Sequence, residues 1–537
     1  MIKDDLASAV RDALVALDVP PPDSVEVTRP QQREHGDWAT NAALVTSKAA
    51  GRNPRELAAE LVAHLEANPP VHVSGLEIAG PGFINFHLHD TWLHAVLEDV
   101  VAQEPAAFGA HRLGAGKHVN VEFVSANPNG PLHGGHARGA IYGDSLALLF
   151  AKCGFEVTRE DYLNDRGVQM KNYTNSLLAI RAGEPIPEDG YHGDHIREWA
   201  AEIPEDVQGY DDVFEAGYAR ALQSHKDSLS AIGVHHDVFF SERSLMASGA
   251  VESVLKRLAE LDKSYELDGA TWLRTTDYGD DKDRVLVKSD GDLTYLTPDI
   301  AYHEDKFSRA AKLVNVWGAD HHGYVSRMKA AMQALGHEPD DLEIVITQLV
   351  KLERDGVEMK MSKRAGQFVT IDDMVNEVGA DAVRFTFLMQ SMDTKQTIDL
   401  TALAEQNMEN PVFYVQMAHA RIKQLERNAA EAGFTRTALA DVDLTVLTHE
   451  RELEVLRTLN DYPEMVAMAC NDRAPHRITT WVREMARAFH GFYSECYVVG
   501  NDVTADQTQA RLWLMEAARI GLVSALDLVG VSSPDKM

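Results

Sequence analysis

The pattern of hydrophobic and polar residues divides the chain into regions of different character. Residues 1–110 mix a helical pattern, ELAAELVAHLEA, with the strand-like run GFINFHLHD and end in a glycine-rich stretch typical of a linker. Residues 111–370 alternate strand and helix patterns, interrupted at about 175–285 by a polar, acidic, helix-like stretch that we interpret as an insertion. Residues 371–537 read as helical almost throughout.

A strand–helix–strand unit is the clearest feature of the second region. The β-branched run VNVEFV is followed by an apolar-periodic stretch from His133 to Cys153, by Gly154 as a helix stop, and by the strand-like FEVTREDYL. Further strand patterns, LVNVWG and EIVIT, come after the insertion. We therefore predict an α/β protein: a Rossmann-like parallel-sheet domain with an insertion, an α+β N-terminal domain and an all-α C-terminal domain.

Composition narrows the class of protein. A chain of 537 residues is too long for one hydrophobic core, and 45% hydrophobic with 25% charged residues is typical of globular proteins. We find no membrane-spanning run and no secretion signal, and we therefore expect a cytoplasmic protein without a membrane partner. The three cysteines stand far apart without a CxxC pair, which predicts reduced, buried thiols and neither a disulfide framework nor a structural zinc site.

The net charge of −32 makes a polyanionic partner less expected without excluding one, because 51 Lys and Arg residues can still gather on one face. If a nucleic acid binds, its affinity should fall steeply with salt.

The stretch SANPNGPLHGGHARG lies after a predicted strand and at the start of a predicted helix. A helix start presents free N–H groups and positive dipole to an anion. His133 and His136 project from the same side of the first turn, and the glycines between them allow a ligand to approach the backbone. The pattern also fits a Pro/Gly turn with two surface histidines, or a metal site, although neither HExxH nor a nearby Cys supplies further ligands.

A second motif, KMSKRAG, follows a predicted hairpin. A lysine pair in such a segment is by itself typical of solvated surface. Together, HGGH and KMSK resemble the two ATP-binding motifs of class I aminoacyl-tRNA synthetases. The blocks VEFVSANPNGPLHGGHARGA, TYLTPDIAYH, GADHHGYVSRMKA, KMSKRAGQFVT, DAVRFTFL and NPVFYVQMAHARI narrow the resemblance to the arginyl-tRNA synthetases, and HGDWATNAAL and GPGFINFHL extend it over nearly the whole chain.

The resemblance implies an arginine–tRNA ligase. Such an enzyme activates L-arginine with ATP to arginyl-AMP and transfers arginine to the 3′-terminal adenosine of tRNA(Arg), releasing AMP and diphosphate. The arginine carboxylate attacks the α-phosphate in line, so the protein has to position reactants and stabilise charge. We expect ATP with Mg²⁺ as the substrate complex, no structural metal held by the protein, and a monomer.

The resemblance also assigns roles to the regions. Residues 1–110 correspond to a domain that binds the tRNA D-loop, residues 111–370 to the catalytic domain, and residues 371–537 to the anticodon-binding domain.

Candidate site residues follow by motif match. HGGH, ADHH and KMSK supply the ATP-binding candidates: His133, Gly134, Gly135, His136, Asp320, His321, His322, Lys360, Met361, Ser362 and Lys363. Among them the catalytic candidates are His133, His136, Lys360 and Lys363. A planar guanidinium with five donors needs acidic and polar partners, and the candidates are Glu122, Ser125, Asn127, Glu242, Tyr295 and Asp299. The tRNA-binding candidates are Phe83, Asn85, Tyr414 and Arg421.

Other interpretations stay open at this level. Each acidic candidate also fits a salt bridge or a helix cap, and ADHH also fits a metal site, although we favour nucleoside contact. A nucleotidyltransferase of the HxGH type, another class I synthetase and a non-catalytic RNA-binding relative are alternative functions. Many arginyl-tRNA synthetases carry a lysine three residues before the first His in place of the KMSK lysines. Here that residue is Gly130, so we expect Lys360 and Lys363 to supply the positive charge.

Overall fold

A computed structural model describes residues 2–30, 32–359, 369–500 and 502–537. The chain forms two compact units. The first comprises Met1–Phe108, Arg421–Asp461 and Arg487–Gly521, and the second comprises Gly109–Ala420, Tyr462–Ala486 and Leu522–Met537.

The N-terminal part of the first unit is an antiparallel sheet with helices. Its elements are α1 (Ile2–Ala16), β1 (Val27–Thr28), β2 (Trp38–Thr40), α2 (Ala42–Ala50), α3 (Pro54–Ala67), β3 (Val73–Ala79), β4 (Phe83–Leu88) and α4 (Thr91–Val101). The strand order is β1-β2-β4-β3. The predicted helix ELAAELVAHLEA and the predicted strand GFINFHL are both confirmed. The helix begins where the Asn53 side chain accepts a hydrogen bond from the N–H of Arg55 at 2.9 Å, a typical N-cap.

The second unit is built on a parallel sheet. In chain order its elements are β5 (His118–Glu122), α5 (Gly134–Lys152), β6 (Glu156–Leu163), α6 (Gly167–Ala182), α7 (Asp194–Glu202), α8 (Tyr210–Ala231), β7 (Val238–Ser241), α9 (Glu242–Ala247), α10 (Ala250–Glu260), β8 (Ser264–Leu267), β9 (Ala270–Leu273), β10 (Arg284–Val287), α11 (Leu296–Arg309), β11 (Lys312–Gly318), α12 (Val325–Ala334), β12 (Leu342–Thr347), β13 (Val350–Arg354), β14 (Val357–Glu358), α13 (Ile371–Val378), α14 (Ala380–Phe387), β15 (Gln396–Asp399) and α15 (Leu400–Ala404).

The main sheet has the order β12-β11-β5-β6-β7, and all its neighbouring strands are parallel. From β5 the chain proceeds to β6 and β7 on one side and then returns to β11 and β12 on the other. The strand order therefore reverses between β5 and β11, where open α/β sheets usually bind ligands. The predicted α/β class and the predicted strand–helix–strand unit are confirmed, and Gly154 ends the unit's helix with φ +82°.

Five strands of four residues escaped the sequence pattern. β7, β8, β9 and β10 lie within or at the end of the stretch interpreted as a helix-like insertion, and β15 (QTID) lies within the stretch read as helical. β7 completes the main sheet, and β15 pairs in parallel with β13. Strands of four residues are too short to show a period of two, so only their partners reveal them. The hairpin predicted before KMSK is confirmed by the antiparallel pair β13 and β14.

Helices dominate the C-terminal part of the chain: α16 (Pro411–Glu431), α17 (Glu450–Asn471), α18 (His476–Glu495) and α19 (Ala505–Val529). Within the second unit, α6, α7 and α8 pack around a hydrophobic core of their own that includes Tyr173 and Trp199. Cys153, Cys470 and Cys496 are free and buried, as predicted. Across the described residues, no helix combines the length and the apolar character that crossing a membrane requires.

Two glycines inside α5 should respond oppositely to substitution. A Cβ atom at Gly143 would lie 2.2 Å from Cγ of Phe123, whereas a Cβ at Gly139 would have Val316 Cγ1 at 4.0 Å as its nearest neighbour. We expect Gly143→Ala to lower the free energy of unfolding by about 1–3 kcal/mol through overpacking. Gly139→Ala should raise it by about 0.5–1 kcal/mol because alanine favours the helix. Urea unfolding of both variants checks this, and equal effects at the two positions would contradict it.

Candidate active site

The segments that leave β5 and β11 both carry candidate residues. SANPNGPLHGGH follows β5, and ADHH follows β11, the neighbouring strand in the sheet. Because parallel strands end at the same edge, motifs that are far apart in sequence reach one crevice at the reversal point.

The HGGH motif forms the start of α5. His133 is the N-cap, and its Nδ1 accepts a hydrogen bond from the N–H of Gly135 at 3.1 Å. Nδ1 of His136 accepts in turn from the N–H of His133 at 3.2 Å, which completes a capping box. The two rings stack with their centroids 3.8 Å apart. The predicted helix start and the common side of the histidines are therefore both found.

This capping arrangement decides which ring nitrogen carries the proton. Since Nδ1 of His133 and Nδ1 of His136 both accept hydrogen bonds, the hydrogen of each neutral ring lies on Nε2. Nε2 is thus the donor atom of each ring, and phosphate oxygens are acceptors that suit such a donor. The backbone of the helix start offers fewer N–H donors to an anion than the sequence suggested. The N–H of Gly134 and that of Gly135 already have acceptors within the protein.

Val369 and Thr370, just before α13, lie beside HGGH. His133 forms an antiparallel bridge with Thr370, and the N–H of Gly134 donates to the carbonyl of Val369 at 2.9 Å. The described chain resumes at Val369, which lies next to the helix start. The candidates Lys360, Met361, Ser362 and Lys363 lie outside the described residues.

The turn after β5 has an unusual backbone. Val124 and Ser125 have φ of +76° and +43°, in a region that non-glycine residues rarely adopt. The Ser125 hydroxyl donates to Oε1 of Glu122 at 2.9 Å and accepts from the N–H of Tyr162 at 3.4 Å. Strain of this kind persists where the surrounding contacts enforce it, which is common at functional sites.

Glu122 is buried and paired. Its Oε2 forms an ion pair with Nζ of Lys306, which also donates to Oδ1 of Asn315 at 2.9 Å. The amide of Asn315 donates to Nε2 of His303, whose Nδ1 donates to the carbonyl of Asp299 at 2.7 Å. Burial lowers the pKa of His303 well below its usual value, so its ring is neutral. In this structure Glu122 thus makes the salt bridge that the sequence left open as the alternative to arginine binding.

Asp299 is part-buried on α11 and accepts a hydrogen bond from the Tyr324 hydroxyl at 2.7 Å on Oδ2. Burial raises its pKa to about 7, the Tyr324 hydrogen bond opposes this rise, and the nearby charges of Glu122 and Glu242 add to it. Burial and the neighbouring acids destabilise the ionised form of Asp299. A cationic ligand stabilises that form, so this carboxylate is well suited to bind one.

Further acidic groups surround this position. Glu242 begins α9, lies 3.7 Å from Nη1 of Arg166, and has its pKa raised chiefly by burial. Asp161 on β6 is fully buried, and burial together with the charge of Glu122 raises its pKa well above its usual value. The electrostatics of this side of the crevice therefore favour a positively charged ligand.

Asn127 belongs to a network of amides. Its side-chain N–H donates to Oε1 of Gln169 at 2.7 Å, and the same oxygen accepts from Asn129 at 3.2 Å. Asn129 also donates to the Tyr191 hydroxyl at 2.9 Å. Contacts to α6 thus hold the loop before HGGH in place.

The remaining candidates of this crevice are exposed. Asp320, His321 and His322 lie in a short 3-10 helix, Ala319–Tyr324, directly after β11, with His321 Nε2 3.7 Å from Asp320 Oδ2. Within the described part of the chain, no three His, Cys, Asp or Glu side chains are grouped as a metal site would require. Tyr295, just before α11, has 87% of its surface exposed.

Phe83 and Asn85, the tRNA-binding candidates of the first unit, lie on β4 with different exposure. Phe83 is 41% exposed, whereas Asn85 is 4% exposed within the sheet. Phe83 can stack on a base from the surface, but Asn85 would reach one only after a local rearrangement.

The helical candidates lie on α16. Tyr414 is part-buried. The guanidinium of Arg421 covers the ring of Tyr493 at 4.6 Å and donates to Nδ1 of His490 at 3.0 Å. An arginine stacked in this way keeps a flat cationic surface at the helix, as RNA-binding proteins often do.

Motif matching missed three residues that shape the crevice: Lys306, Tyr324 and Gln169. Lys306 lies seven residues after Asp299 on α11, and two helical turns place both on one face. That spacing was a usable signal. Tyr324 and Gln169 make their contacts across the fold, so their roles appear only in the structure.

Comparisons with known proteins match every part of the chain. The model described as tRNA synthetases class I (R), catalytic domain, matches residues 98–179 and 189–428. The arginyl tRNA synthetase N terminal domain matches residues 2–88, and the DALR anticodon binding domain matches residues 415–537. The chain belongs to the arginyl-tRNA synthetases. The predicted family and fold class are confirmed, and with them the prediction of a class I arginine–tRNA ligase.

Relatives of this family align over the full length. Arginine–tRNA ligase 1 of Halalkalibacterium halodurans is 44% identical over 100% of this chain and 98% of the relative. Arginine–tRNA ligase of Bacillus subtilis is 43% identical with the same coverage. The arginyl-tRNA synthetase of Thermus thermophilus superposes with a TM-score of 0.79 over 100% of both chains at 22% identity, which supports the fold.

Proposed function

We propose that this arginyl-tRNA synthetase performs its reaction in the crevice between β5 and β11, with ATP at HGGH and L-arginine at the acidic cluster. The observation that carries the proposal is the pairing of two opposite chemistries at one sheet edge. The histidine rings offer Nε2–H donors to an anion, while Asp299 and its acidic neighbours favour a cation.

On the ATP side, class I synthetases use ATP, normally with Mg²⁺. His133 and His136 donate to phosphate oxygens, and Lys360 and Lys363 add the positive charge that Gly130 does not provide. The exposed turn Ala319–Tyr324 contacts the nucleoside. Mg²⁺ is held mainly by phosphates and water and needs few protein ligands, which agrees with the donor set of this crevice.

On the arginine side, Asp299 pairs with the guanidinium, and Glu242 and Tyr295 complete its surroundings. Asn127, in the loop after β5, holds the α-amino or carboxylate group. Lysine offers a compact ammonium in place of a planar fork of five donors, so it would leave the acidic groups incompletely paired. The arginine carboxylate then attacks the α-phosphate, and the protein acts by positioning and charge stabilisation.

Amino-acid-dependent exchange of pyrophosphate into ATP tests the proposal. The full chain is assayed with each of the twenty amino acids, with and without total tRNA. We expect exchange with arginine alone, and we expect it to require tRNA as in most of this family. Exchange with another amino acid, or none under either condition, would contradict the proposed function.

The affinity for arginine should depend on pH through Asp299. Arginine binds the ionised carboxylate, and a pKa of about 7 leaves that form scarce in acid. We therefore expect the affinity to fall about ten-fold from pH 8 to pH 6 and to level off above pH 8. Titration calorimetry with arginine measures this, and Asp299→Asn should remove the dependence.

The same shift predicts a trend in stability. Because the pKa of Asp299 is higher in the folded chain than its ordinary 3.8, this group lowers the stability of the free protein as the pH rises from about 4 to about 7, and its contribution levels off above that. Arginine should therefore raise the melting temperature more at pH 8 than at pH 6. An equal shift at both pH values would argue against Asp299 as the partner of the guanidinium.

Lys363→Ala tests the charge of the KMSK motif. We expect arginine-dependent exchange to fall on the order of 10²-fold, because the lysine stabilises charge that develops on the departing pyrophosphate. The free energy of unfolding should change by less than about 0.5 kcal/mol. Unchanged exchange in a folded variant would reject this role, and Lys351→Ala, an exposed lysine on the preceding strand, serves as the control.

For tRNA(Arg), we propose contacts from Phe83 and Asn85 of the first unit and from Tyr414 and Arg421 of α16. Arg421→Ala should weaken tRNA binding and reduce its salt dependence.

A monomeric state and a cytoplasmic location stay predictions. Light scattering of the purified chain tests the monomeric state.

A further inference from the structure

Helix α8 contacts the protein on both sides of the HGGH turn. Nε2 of His225 lies 2.8 Å from the carbonyl oxygen of Gly130, in the loop that leads into HGGH. One turn further along, the Ser228 hydroxyl donates to Oδ2 of Asp372 at 2.8 Å, in the first turn of α13. His225 and Ser228 are both fully buried.

The two segments that α8 contacts are also bonded to each other. His133 bridges Thr370, and the N–H of Ile371 donates to the carbonyl of Leu132 at 3.0 Å. Thr370 is the N-cap of α13 and forms a capping box with Asp373. The loop before HGGH, the start of α13 and helix α8 therefore form a closed set of hydrogen bonds around His133.

The chemistry of His225 indicates more than packing. A carbonyl oxygen only accepts, so Nε2 of His225 carries the hydrogen, and burial lowers the pKa of the ring so that it stays neutral. Its buried Nδ1 has no hydrogen-bond partner among the residues that the structure describes. Burying such an atom costs free energy, and an apolar side chain of similar size would avoid that cost.

The far end of α8 is firmly held. The buried guanidinium of Arg384 donates to the carbonyl of Ile232, just after α8, at 2.7 Å and to Oδ2 of Asp144 on α5 at 2.7 Å. Asp144 belongs to α5, the helix that HGGH begins. Arg384 therefore links the C-terminal end of α8 to α5, while His225, earlier in α8, contacts the loop that leads into α5.

We propose that His225 and Ser228 are positioning residues for adenylate formation, which act by holding His133 and the start of α13 in register. This inference rests on the proposed function of HGGH. Neither residue touches a substrate. Loss of either bond leaves the arginine cluster on α11 in place and lets the two histidine donors drift from the phosphates, so the expected defect lies in turnover and in ATP use.

The test compares Ser228→Ala, His225→Leu and His225→Gln in arginine-dependent pyrophosphate exchange, with saturating tRNA. We expect kcat to fall 10- to 100-fold in the first two, with the KM for arginine within two-fold of the parent. His225→Gln keeps an N–H donor at a similar reach, so it should restore kcat to within about three-fold. Ser230→Ala, an exposed serine on the same helix, is the matched control and should match the parent.

Several outcomes would overturn the inference. These are parental kcat in folded Ser228→Ala and His225→Leu, a His225→Gln variant as slow as His225→Leu, or a rise in the KM for arginine equal to that for ATP. If His225→Leu fails to fold, Ser228→Ala decides, because it removes one hydroxyl. Absence of arginine-dependent exchange in the parent chain would instead reject the proposed function.

Discussion

Asp299→Asn is expected to lower kcat/KM for arginine on the order of 10³-fold while the KM for ATP stays within a few-fold of the parent. The amide keeps the shape of the carboxylate but removes its charge and offers donors to a ligand that has only donors. Tyr324, which donates to Oδ2 of Asp299, then loses its charged acceptor, so the site is incompletely paired with arginine bound.

The control for this substitution lies on the same helix. Asp305→Asn removes a carboxylate of α11 that is 37% exposed and paired with Arg309, and it should leave exchange unchanged. Replacing Tyr324 by Phe removes the hydroxyl donor, so the pKa of Asp299 should rise and the pH dependence of arginine binding should move to higher pH. Activity of Asp299→Asn within ten-fold of the parent would exclude Asp299 as the main partner of the guanidinium.

His133→Asn is expected to reduce arginine-dependent exchange on the order of 10²- to 10³-fold with almost no loss of stability. Asparagine is as good an N-cap as any residue, so it can accept from the N–H of Gly135 as the histidine ring does. It does not place a donor where Nε2 of His133 lies. Loss of one donor to developing charge commonly costs this much.

A second substitution at the same position separates capping from chemistry. His133→Ala loses the cap as well as the donor, so it should be as inactive as His133→Asn and also less stable by about 1 kcal/mol. Exchange assays and urea unfolding of both variants measure the two effects. His192→Ala, an exposed histidine of the same unit, should leave both unchanged. Full activity of His133→Asn would show that His133 is a cap and nothing more.

The candidate site was predictable where function follows local sequence. HGGH after a β-branched run predicts a helix start at a strand end, and the helix begins at Gly134 with His133 as its cap. The contact between HGGH and the start of α13 was not predictable, because it depends on the bridge between His133 and Thr370. Such a contact spans most of the catalytic domain, so no window of sequence contains it.

Charge pairing was less predictable than position. Alternation along β5 predicts that Glu122 points away from Val121 and Phe123, but it does not reveal that the Glu122 carboxylate forms an ion pair with Lys306. The glycine pair of HGGH predicts backbone N–H groups that are available to a ligand. In the structure the N–H of Gly134 donates to the carbonyl of Val369 and that of Gly135 donates to the His133 ring. The carboxylate of Glu122 and the N–H of Gly134 are satisfied by partners far away in the sequence, as their desolvation requires, whereas the N–H of Gly135 is exposed and bonds within its own turn.

The sequence by itself determined the family, the α/β class, the strand–helix–strand unit and the residue types of the two ATP motifs, because each depends on neighbours within a few turns of chain. The tertiary structure alone decided the raised pKa of Asp299, the strands β7 to β10 and β15, and the hydrogen bonds of α8 to the segments around HGGH. These depend on burial and on hydrogen bonds between residues such as His225 and Gly130, which only the folded chain brings within reach.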